Sequence, residues 1–460
     1  MKIAIYSHSM LPTIDGVSRR FTQIINELVK QGHEVILFTL ENKPEQIPGS
    51  VKYYTLLHMS IPNYPGKKLG KPSIVNMLYI ASALHREQPD LIHCVSDALS
   101  STFGLLGRAF MIPVVASIHT DIQTLGEKTK VPRFGRLCAS LKEQSDGRLM
   151  DGCATTSPSF SEQLLSQGVV CDHALKTAVD VTMFHPSRAT DSVREKLTFG
   201  NSDKLLAVFA GRLAPEKRLE LCLALLDKLP DLYLAFIGDG PVGEKIAKFH
   251  GPEHRVYCVP GFASHAELAA VYASADVHLS FSTFETLGNT VLEAHAAGCP
   301  VVVPRAQGFR DTVRHGEDGF LFDAGPGVPE EAQVAEAAAF LGRLARDPAL
   351  GRALGEAGRR KVQGHTRELV VKDILQWYGT CTERQRRKSR SSMVFVFLQL
   401  VFMTISSIFF AHICEATFPP LLFLKNWCHD MRDQLTKRLN DLCGFQLVAD
   451  EARKYSLASA

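Results

Sequence analysis

The feature that most restricts the fold is a regular alternation of short β-rich runs with longer helical patterns over the first 380 residues. Such alternation is typical of parallel sheets whose strands are joined by helices. Residues 19–31 place Phe21, Ile24 and Leu28 on one helical face before Gly32, which indicates a helix and its end. The pattern predicts an α/β protein with two sheets of similar type. The predicted strands are Lys2–Tyr6, Val35–Thr39, Asp90–Val95, Pro113–Ile118, Gly152–Thr156, Leu205–Ala210, Leu232–Ile237, Arg255–Val259, Asp276–Phe281 and Pro300–Pro304.

The polar, proline-containing segment 184–201 predicts a linker between two domains. An N-terminal domain is expected over 1–183 and a C-terminal domain over 202–365, closed by a helix at 366–380. Two open parallel sheets that face each other form a cleft, and ligands of such sheets bind beyond the carboxyl ends of the strands. Functional residues are therefore expected in the loops that follow the strands.

The C-terminal part of the chain differs in composition from the rest. A basic stretch at 384–390 precedes an apolar segment at 393–424, and no charged residue occurs from Ser391 to Cys414. As a helix, this uncharged run would span more than ~30 Å, the thickness of a bilayer core, and basic residues before it favour the cytosolic side. We therefore expect a transmembrane or membrane-inserted helix, a tail at 425–460, and a body on the cytosolic or stromal face. A buried core helix and a wrongly assigned gene end are the alternatives.

Charge and cysteine content argue against several classes of protein. Residues 383–460 hold 11 Lys and Arg and 7 Asp and Glu, so the totals of 51 and 48 leave 40 and 41 for the body. A body this close to neutral does not favour a nucleic-acid-binding surface. The 11 cysteines include no C-x-x-C pair, which argues against a zinc ribbon or disulfide framework and is typical of a reducing compartment. The first apolar run, Lys2–Tyr6, is too short for a signal peptide.

Two loops after predicted strands have the composition of a diphosphate site. Gly16 lies between the first strand and its helix, where backbone N–H groups can approach an anion. An ordinary turn is the alternative. Arg212 and Lys217 follow the first strand of the second domain, where two cations at the mouth of the cleft could hold a pyrophosphate. A solvated basic turn is the alternative there.

A third segment, from Phe284 to Pro300, carries two glutamates separated by seven residues. Glu285 is expected in a loop and Glu293 inside the helix that begins near Gly288. The helix N-terminus offers free N–H groups to a phosphate, and a carboxylate further along can accept hydrogen bonds from ribose hydroxyls. For either glutamate alone, a surface charge is the simpler interpretation.

Together with G-R-x-x-x-E-K at 211–217 and G-D-G-P at 238–241, this segment resembles the retaining GT-B glycosyltransferases of family four. The resemblance extends from residue 1 to about residue 380. The motifs at 11–17 and 112–120 are similar to those of sulfoquinovosyl-diacylglycerol synthases and of GDP-mannose-dependent lipid mannosyltransferases. The resemblance implies two Rossmann-like domains that face a cleft.

The resemblance also implies catalytic or donor-binding roles for individual residues. Glu293 would bind the nucleotide ribose, and Glu285 would contact the donor sugar. Arg212 and Lys217 would neutralise the departing diphosphate. His119 corresponds to the family histidine beside the donor sugar, with a hydrogen-bonded strand-end histidine as the alternative.

The remaining donor-binding groups implied by the resemblance are the backbone at Gly16 and at Leu287, Gly288 and Asn289. Cleavage of a sugar–phosphate bond puts negative charge on the diphosphate, so cations and N–H groups placed there stabilise the transition state. The cleft loops contain no Asp-x-Asp, so we expect no obligatory metal and no cofactor besides the nucleotide sugar. Retention by same-face attack, assisted by the leaving phosphate, is what the resemblance implies.

Four positions depart from the family pattern. Asp121 stands where a histidine is frequent, Ala178 replaces a glycine, His295 replaces a methionine, and Gln307 stands where a glycine is usual. The last change places a side chain near the expected donor sugar, which leaves the identity of that sugar open.

Two classes of function agree with these observations. The first is an enzyme that transfers a sugar from a nucleotide sugar to a membrane lipid, foremost sulfoquinovose from its UDP donor to diacylglycerol, with GDP-mannose as the alternative donor. The membrane segment 393–424 agrees with a lipid acceptor. The second is a non-catalytic membrane-anchored scaffold. The joint presence of Arg212, Lys217, Glu285 and Glu293 argues against it.

Overall fold

The computed structural model describes residues 1–387 except 12, 14, 61–67, 122–142, 145–148 and 262. The described chain contains two parallel sheets with the same strand order. In each sheet the first strand lies inside the sheet, and the order of the strands reverses beside it. This reversal leaves a crevice at the carboxyl ends of the strands.

The first half forms a seven-stranded sheet and a small antiparallel hairpin. Its strands are β1 (Lys2–Ser7), β2 (Glu34–Thr39), β3 (Lys52–Thr55), β4 (His58–Ser60), β5 (Lys68–Gly70), β6 (Leu91–Val95), β7 (Val114–Ser117), β8 (Gly152–Thr155) and β9 (His173–Ala174). Its helices are α1 (Gly16–Lys30), α2 (Ile74–Glu87), α3 (Ser100–Phe110) and α4 (Pro158–Ser166). The sheet order is β3-β2-β1-β6-β7-β8-β9, and β4 pairs with β5.

The second half forms a six-stranded sheet in the order β12-β11-β10-β13-β14-β15. Its strands are β10 (Leu205–Ala210), β11 (Leu232–Ile237), β12 (Val256–Cys258), β13 (Val277–Leu279), β14 (Val301–Pro304) and β15 (Gly319–Phe322). The helices are α5 (Asp191–Thr198), α6 (Leu219–Leu223), α7 (Gly243–Ala247), α8 (His265–Ser274), α9 (Asn289–Ala296), α10 (Phe309–Thr312), α11 (Glu330–Arg346), α12 (Pro348–Val362) and α13 (Arg367–Arg387).

The two parallel-sheet domains predicted from the alternating pattern are confirmed, and each of the ten predicted strands is present within two residues of its predicted ends. Strands β3, β4, β5, β9 and β15 were not predicted. Each of them lies at or near the edge of its sheet and has only two to four residues. Short strands of this kind are defined by the neighbour with which they pair, so the local pattern is a weak signal for them.

The segment 184–201 differs from the predicted linker. It contains a 3-10 turn at Pro186–Arg188 and the helix α5. Leu197 of α5 is buried against Leu206 and Val208 of the second sheet. Burial of this apolar side chain makes most of the segment part of the second domain.

The chain crosses between the domains by two neighbouring stretches. The backbone N–H of Val179 donates to the carbonyl of His365 at 2.9 Å, and Nδ1 of His365 lies 3.0 Å from the carbonyl of Thr177. After the second crossing, helix α13 packs on the first domain, where Trp377 and Tyr378 join a core that includes Phe21 of α1. Helix α13 therefore packs on the first domain, although the helix before it in sequence, α12, belongs to the second.

Helix α13 is longer than the predicted closing helix at 366–380. It continues to Arg387 because Cys381 is buried and Arg384 pairs with Asp172. The basic stretch 384–390 thus begins inside a helix. Within the residues described, no helix is long and apolar enough to cross a bilayer. The predicted membrane segment 393–424 and the tail 425–460 lie outside the described residues.

Candidate functional site

The N-terminus of α1 lies at the reversal of the first sheet, directly after β1. Asp15 caps this helix: its carboxylate accepts the Ser18 N–H at 2.8 Å, and the Ser18 hydroxyl accepts the Asp15 N–H at 3.0 Å. The next residue, Gly16, is exposed. The free N–H groups of the first turn are thereby directed into the cleft.

The N-terminus of α9 reaches the same point from the second domain. Gly288, which precedes α9, has a φ of +88°, and a Cβ there would lie 2.7 Å from the ring of Phe309. A side chain is therefore excluded at this turn. A Cβ at Gly16 would lie 3.1 Å from Nδ2 of Asn289, the first residue of α9. Two helix N-termini from different domains thus meet, which is a favourable arrangement for an anion.

The side chain of Asn289 supports this interpretation. Its Oδ1 is buried and has no hydrogen-bond partner among the described residues. An unsatisfied buried carbonyl oxygen is costly and needs a donor from elsewhere. A hydroxyl group of a bound molecule would supply that donor.

The loop after β10 carries the two predicted cations. Gly238 of the adjacent loop has a φ of +142°, and a Cβ there would lie 2.0 Å from the carbonyl oxygen of Gly211. This close backbone contact sets the start of the 211–217 loop. Arg212 is exposed, and Lys217 ends the 3-10 turn Pro215–Lys217.

Lys217 forms an ion pair with Glu285, a contact that the sequence does not indicate. Both side chains are partly exposed, at 15% and 26%. The pair joins the loop after β10 to the loop before α9 and so brings together two of the predicted catalytic groups. The sequence instead favours a pairing of Lys217 with Arg212 around a pyrophosphate.

Glu293 lies one turn into α9 and is half-buried. Burial raises the pKa of its carboxyl group to about 7, and the positive charge of Arg19 on α1 opposes that shift. The carboxyl group is consequently poised between its neutral and charged forms near neutral pH. Arg19 belongs to α1 of the first domain, so its charge acts on Glu293 across the cleft.

His119 follows β7 and is held from both sides. Its Nδ1 lies 3.2 Å from Nη1 of Arg20, and its Nε2 lies 2.8 Å from Oγ of Ser117. Burial, followed by the charge of Arg20, lowers the pKa of His119 well below its ordinary value. The imidazole is therefore neutral at physiological pH, and both of its nitrogens are engaged within the first domain.

Thr286 connects the domains beside these groups. Its hydroxyl donates to the carbonyl of His119 at 3.1 Å, and its own carbonyl accepts the Thr156 hydroxyl at 2.9 Å. Ser159 adds two bonds to Asp311, through its N–H at 3.0 Å and its hydroxyl at 2.9 Å. These hydrogen bonds join the two domains on either side of the loop that carries Glu285. Thr286 lies inside the segment singled out from the sequence, but its cross-domain role has no local signal.

Two of the positions that depart from the family pattern interact across the cleft. Nε2 of Gln307 lies 3.3 Å from Oδ2 of Asp121 and 3.3 Å from Oε1 of Gln163. The φ of Gln307 is +36°, in the left-handed region that favours glycine. Its polar side chain forms a contact between the domains, which a glycine at this position could not form.

No cluster of three His, Cys, Asp or Glu side chains able to hold a metal ion occurs in the part of the chain that the structure describes. The cations of the site are instead arginine and lysine. The absence of a metal requirement stays a prediction.

Family models match both halves of the chain. The model described as "Glycosyl transferases group 1" matches residues 192–361, and the model described as "Glycosyltransferase Family 4" matches residues 14–182. The sulfoquinovosyl transferase SQD2 of Arabidopsis thaliana is 31% identical over 76% of this chain and 68% of that protein. A GDP-mannose-dependent alpha-mannosyltransferase of Mycolicibacterium smegmatis is 30% identical over 84% of this chain and 99% of that protein.

More distant proteins share the architecture. An alpha-monoglucosyldiacylglycerol synthase of Acholeplasma laidlawii is 26% identical over 70% of this chain and 85% of that protein. The crystal structure of Anabaena HepE in complex with UDP superposes with a TM-score of 0.65 at 18% identity, and covers 83% of this chain and all of that one. At this identity the likeness concerns the fold alone.

Proposed function

Because the chain belongs to the GT-B glycosyltransferases of family four, in the subgroup of sulfoquinovosyl transferases and lipid mannosyltransferases, we propose that it transfers sulfoquinovose from UDP-sulfoquinovose to diacylglycerol with retention and releases UDP. The observation that supports this most is the meeting of two helix N-termini, at Gly16 and Asn289, beside the Lys217–Glu285 pair. Diphosphate binding needs such a concentration of N–H groups and cations.

In the proposed reaction, the bond between the anomeric carbon and the diphosphate oxygen breaks, and its electron pair stays on the diphosphate. Lys217, Arg212 and the N–H groups at the starts of α1 and α9 stabilise that developing charge. The acceptor hydroxyl attacks from the face that the diphosphate leaves, and its proton passes to the departing diphosphate oxygen. Glu285 orients the sugar, and Glu293 accepts hydrogen bonds from the ribose.

A lipid acceptor is supported by one relative whose name specifies a diacylglycerol product. It is also supported by exposed apolar side chains on α2. Ile74 is 65% exposed and Leu78 is 62% exposed, one turn apart on the same face of the helix. We propose that this face and the segment 393–424 bring the cleft to the bilayer surface.

GDP-mannose is the second candidate donor. The mannosyltransferase relative is covered over 99% of its length, whereas the sulfoquinovosyl transferase is covered over 68%. Gln307 also places an amide where the family pattern has a glycine, so the sugar pocket differs from that pattern.

The deciding experiment is calorimetric titration of the full chain in detergent with UDP and, separately, with GDP. Binding of UDP alone supports sulfoquinovose transfer and restricts the donor screen to UDP sugars. Tighter binding of GDP than of UDP would instead support a GDP-mannose-dependent mannosyltransferase. If a folded sample binds neither nucleotide, the non-catalytic scaffold is the better interpretation.

A further inference from the structure

A continuous chain of hydrogen bonds connects His119 to the C-terminal helix α13. Nη1 of Arg20 lies 3.2 Å from Nδ1 of His119. On the other side of the ring, Nε2 of His119 lies 2.8 Å from Oγ of Ser117. The same serine oxygen lies 2.8 Å from Nε2 of His93, whose Nδ1 is 2.5 Å from the hydroxyl of Tyr378. His93, Ser117 and Tyr378 are fully buried. The chain thus runs from the cleft through the interior of the first domain.

The chemistry of the five groups fixes the direction of the bonds at His119 and favours one direction for the rest of the chain. Arginine only donates, so Nδ1 of His119 accepts, and the neutral ring carries its proton on Nε2, which donates to Ser117. The single hydroxyl proton of Ser117 then donates to Nε2 of His93. Burial lowers the pKa of His93 to about 3, so this ring is also neutral. His93 therefore carries its proton on Nδ1 and donates it to the oxygen of Tyr378.

The opposite direction of the His93–Tyr378 bond is disfavoured by Ser117. If Tyr378 donated to Nδ1 of His93, Nε2 of His93 would carry the proton, and Oγ of Ser117 would accept from both rings. The buried hydroxyl proton of Ser117 would then have no acceptor among the described residues, which is costly. The acceptor at the far end, Tyr378, is thus required to complete the favourable direction.

We propose that Tyr378 is a positioning residue for sugar transfer. Arg20 sets the tautomer of His119, and the hydroxyl oxygen of Tyr378, through His93 and Ser117, holds the ring in one orientation beside the donor sugar. The role at the donor sugar rests on the proposed function, whereas the tautomer is a property of the protein alone. Helix α13 is thereby connected to the reaction centre, although Tyr378 itself contacts no reacting group.

The direct test is NMR spectroscopy of the full chain in detergent, with ¹⁵N-labelled histidine and no substrate. In the wild type we expect the proton of His119 on Nε2 and that of His93 on Nδ1. Tyr378→Phe removes the terminal acceptor, so His93 should shift toward the Nε2-protonated form and the ring resonances of His119 should move. Tyr233→Phe is the matched control, since Tyr233 is buried in β11 of the other domain and should leave both rings unchanged.

Ser117→Ala interrupts the hydrogen-bond chain. It therefore distinguishes an effect of Tyr378→Phe that passes through these hydrogen bonds from an effect on the packing of the domain core. In the Ser117→Ala background, Tyr378→Phe should cause no further change at His119. In transfer assays, Tyr378→Phe should lower kcat about tenfold with little change in KM, as expected for the loss of one orienting hydrogen bond. The double variant should be no slower than Ser117→Ala alone.

Three results would overturn the inference. These are a proton on Nδ1 of His119 in the wild type, unchanged His119 resonances in folded Tyr378→Phe, and losses in kcat that multiply in the double variant. If neither UDP-sulfoquinovose nor GDP-mannose supports transfer to lipid vesicles, the proposed function fails. The NMR result then still decides the hydrogen-bond chain.

Discussion

Replacement of Glu293 by glutamine should stabilise the fold and weaken nucleotide binding, and both effects should depend on pH. Burial raises the pKa of this carboxyl group from an ordinary value of 4.5 to about 7. Between these two values the folded protein holds a proton that the unfolded chain has released. The free energy of unfolding therefore falls as the pH rises through this window.

The size of the effect follows from the shift. At 1.36 kcal/mol per pKa unit, a change from 4.5 to about 7 amounts to about 3 kcal/mol, and partial exposure of the side chain reduces this to about 2 kcal/mol. Glutamine is close in shape and does not titrate. The stability advantage of Glu293→Gln over the wild type should therefore grow by about 2 kcal/mol between pH 5 and pH 8.

Urea denaturation of both proteins at pH 5 and pH 8 measures this difference. Glu195→Gln, on the exposed part of α5, is the matched control and should show no comparable pH dependence. An advantage of Glu293→Gln that is equal at the two pH values would refute the reasoning, because packing rather than the charge would then be responsible.

Binding of a UDP sugar tests the same group from the functional side. Such a donor has no titrating phosphate in this range, so the pH dependence reports on the protein. If the charged carboxylate accepts the ribose hydroxyls, the wild type should bind about tenfold more weakly at pH 6 than at pH 8, since only about a tenth of Glu293 is ionised at pH 6. The variant should bind weakly at both pH values. Equal wild-type affinity at pH 6 and pH 8 would reject the ribose role.

Three further predictions concern other parts of the chain. Lys217→Ala should lower transfer about 100-fold or more, since it removes a cation from the leaving group, while circular dichroism stays unchanged. Full activity would reject the assignment. The Sγ atoms of Cys153 and Cys171 lie 3.2 Å apart, so diamide should close a disulfide between them that peptide mass spectrometry detects. Failure of diamide to join the two cysteines in the folded protein would contradict this. The full chain should sediment with lipid vesicles more strongly than residues 1–387, and equal sedimentation would count against a membrane role for 393–424.

Local patterns were sufficient for most of the fold. The helix α1 was predictable from the spacing of Phe21, Ile24 and Leu28 and from the stop at Gly32, because helical periodicity is a property of neighbouring residues. Buried parallel strands such as β10 are continuous apolar runs for the same reason. Strand β15 was missed since its four residues become a strand only by pairing with β14.

The candidate site was predictable only where it lies within one segment. Glu285, Gly288 and Glu293 belong to a single loop and helix, so their spacing sets their relative positions. The pairing of Lys217 with Glu285 spans 68 residues and depends on how two loops meet. The approach of Gly16 to Asn289 depends on how the two domains dock, and no local pattern records that.

The amino-acid sequence alone therefore specified two parallel sheets whose strands are joined by helices. It also specified which residue types follow the carboxyl ends of the strands and what chemistry their side chains can perform. The return of α13 to the first domain came from tertiary packing, because burying Trp377 and Tyr378 requires an apolar surface that the second domain does not present to them. That packing brings Tyr378 to His93 across 285 residues of chain. Hydrogen bonds between such distant groups arise from the folded arrangement of the backbone, which sequence spacing does not encode.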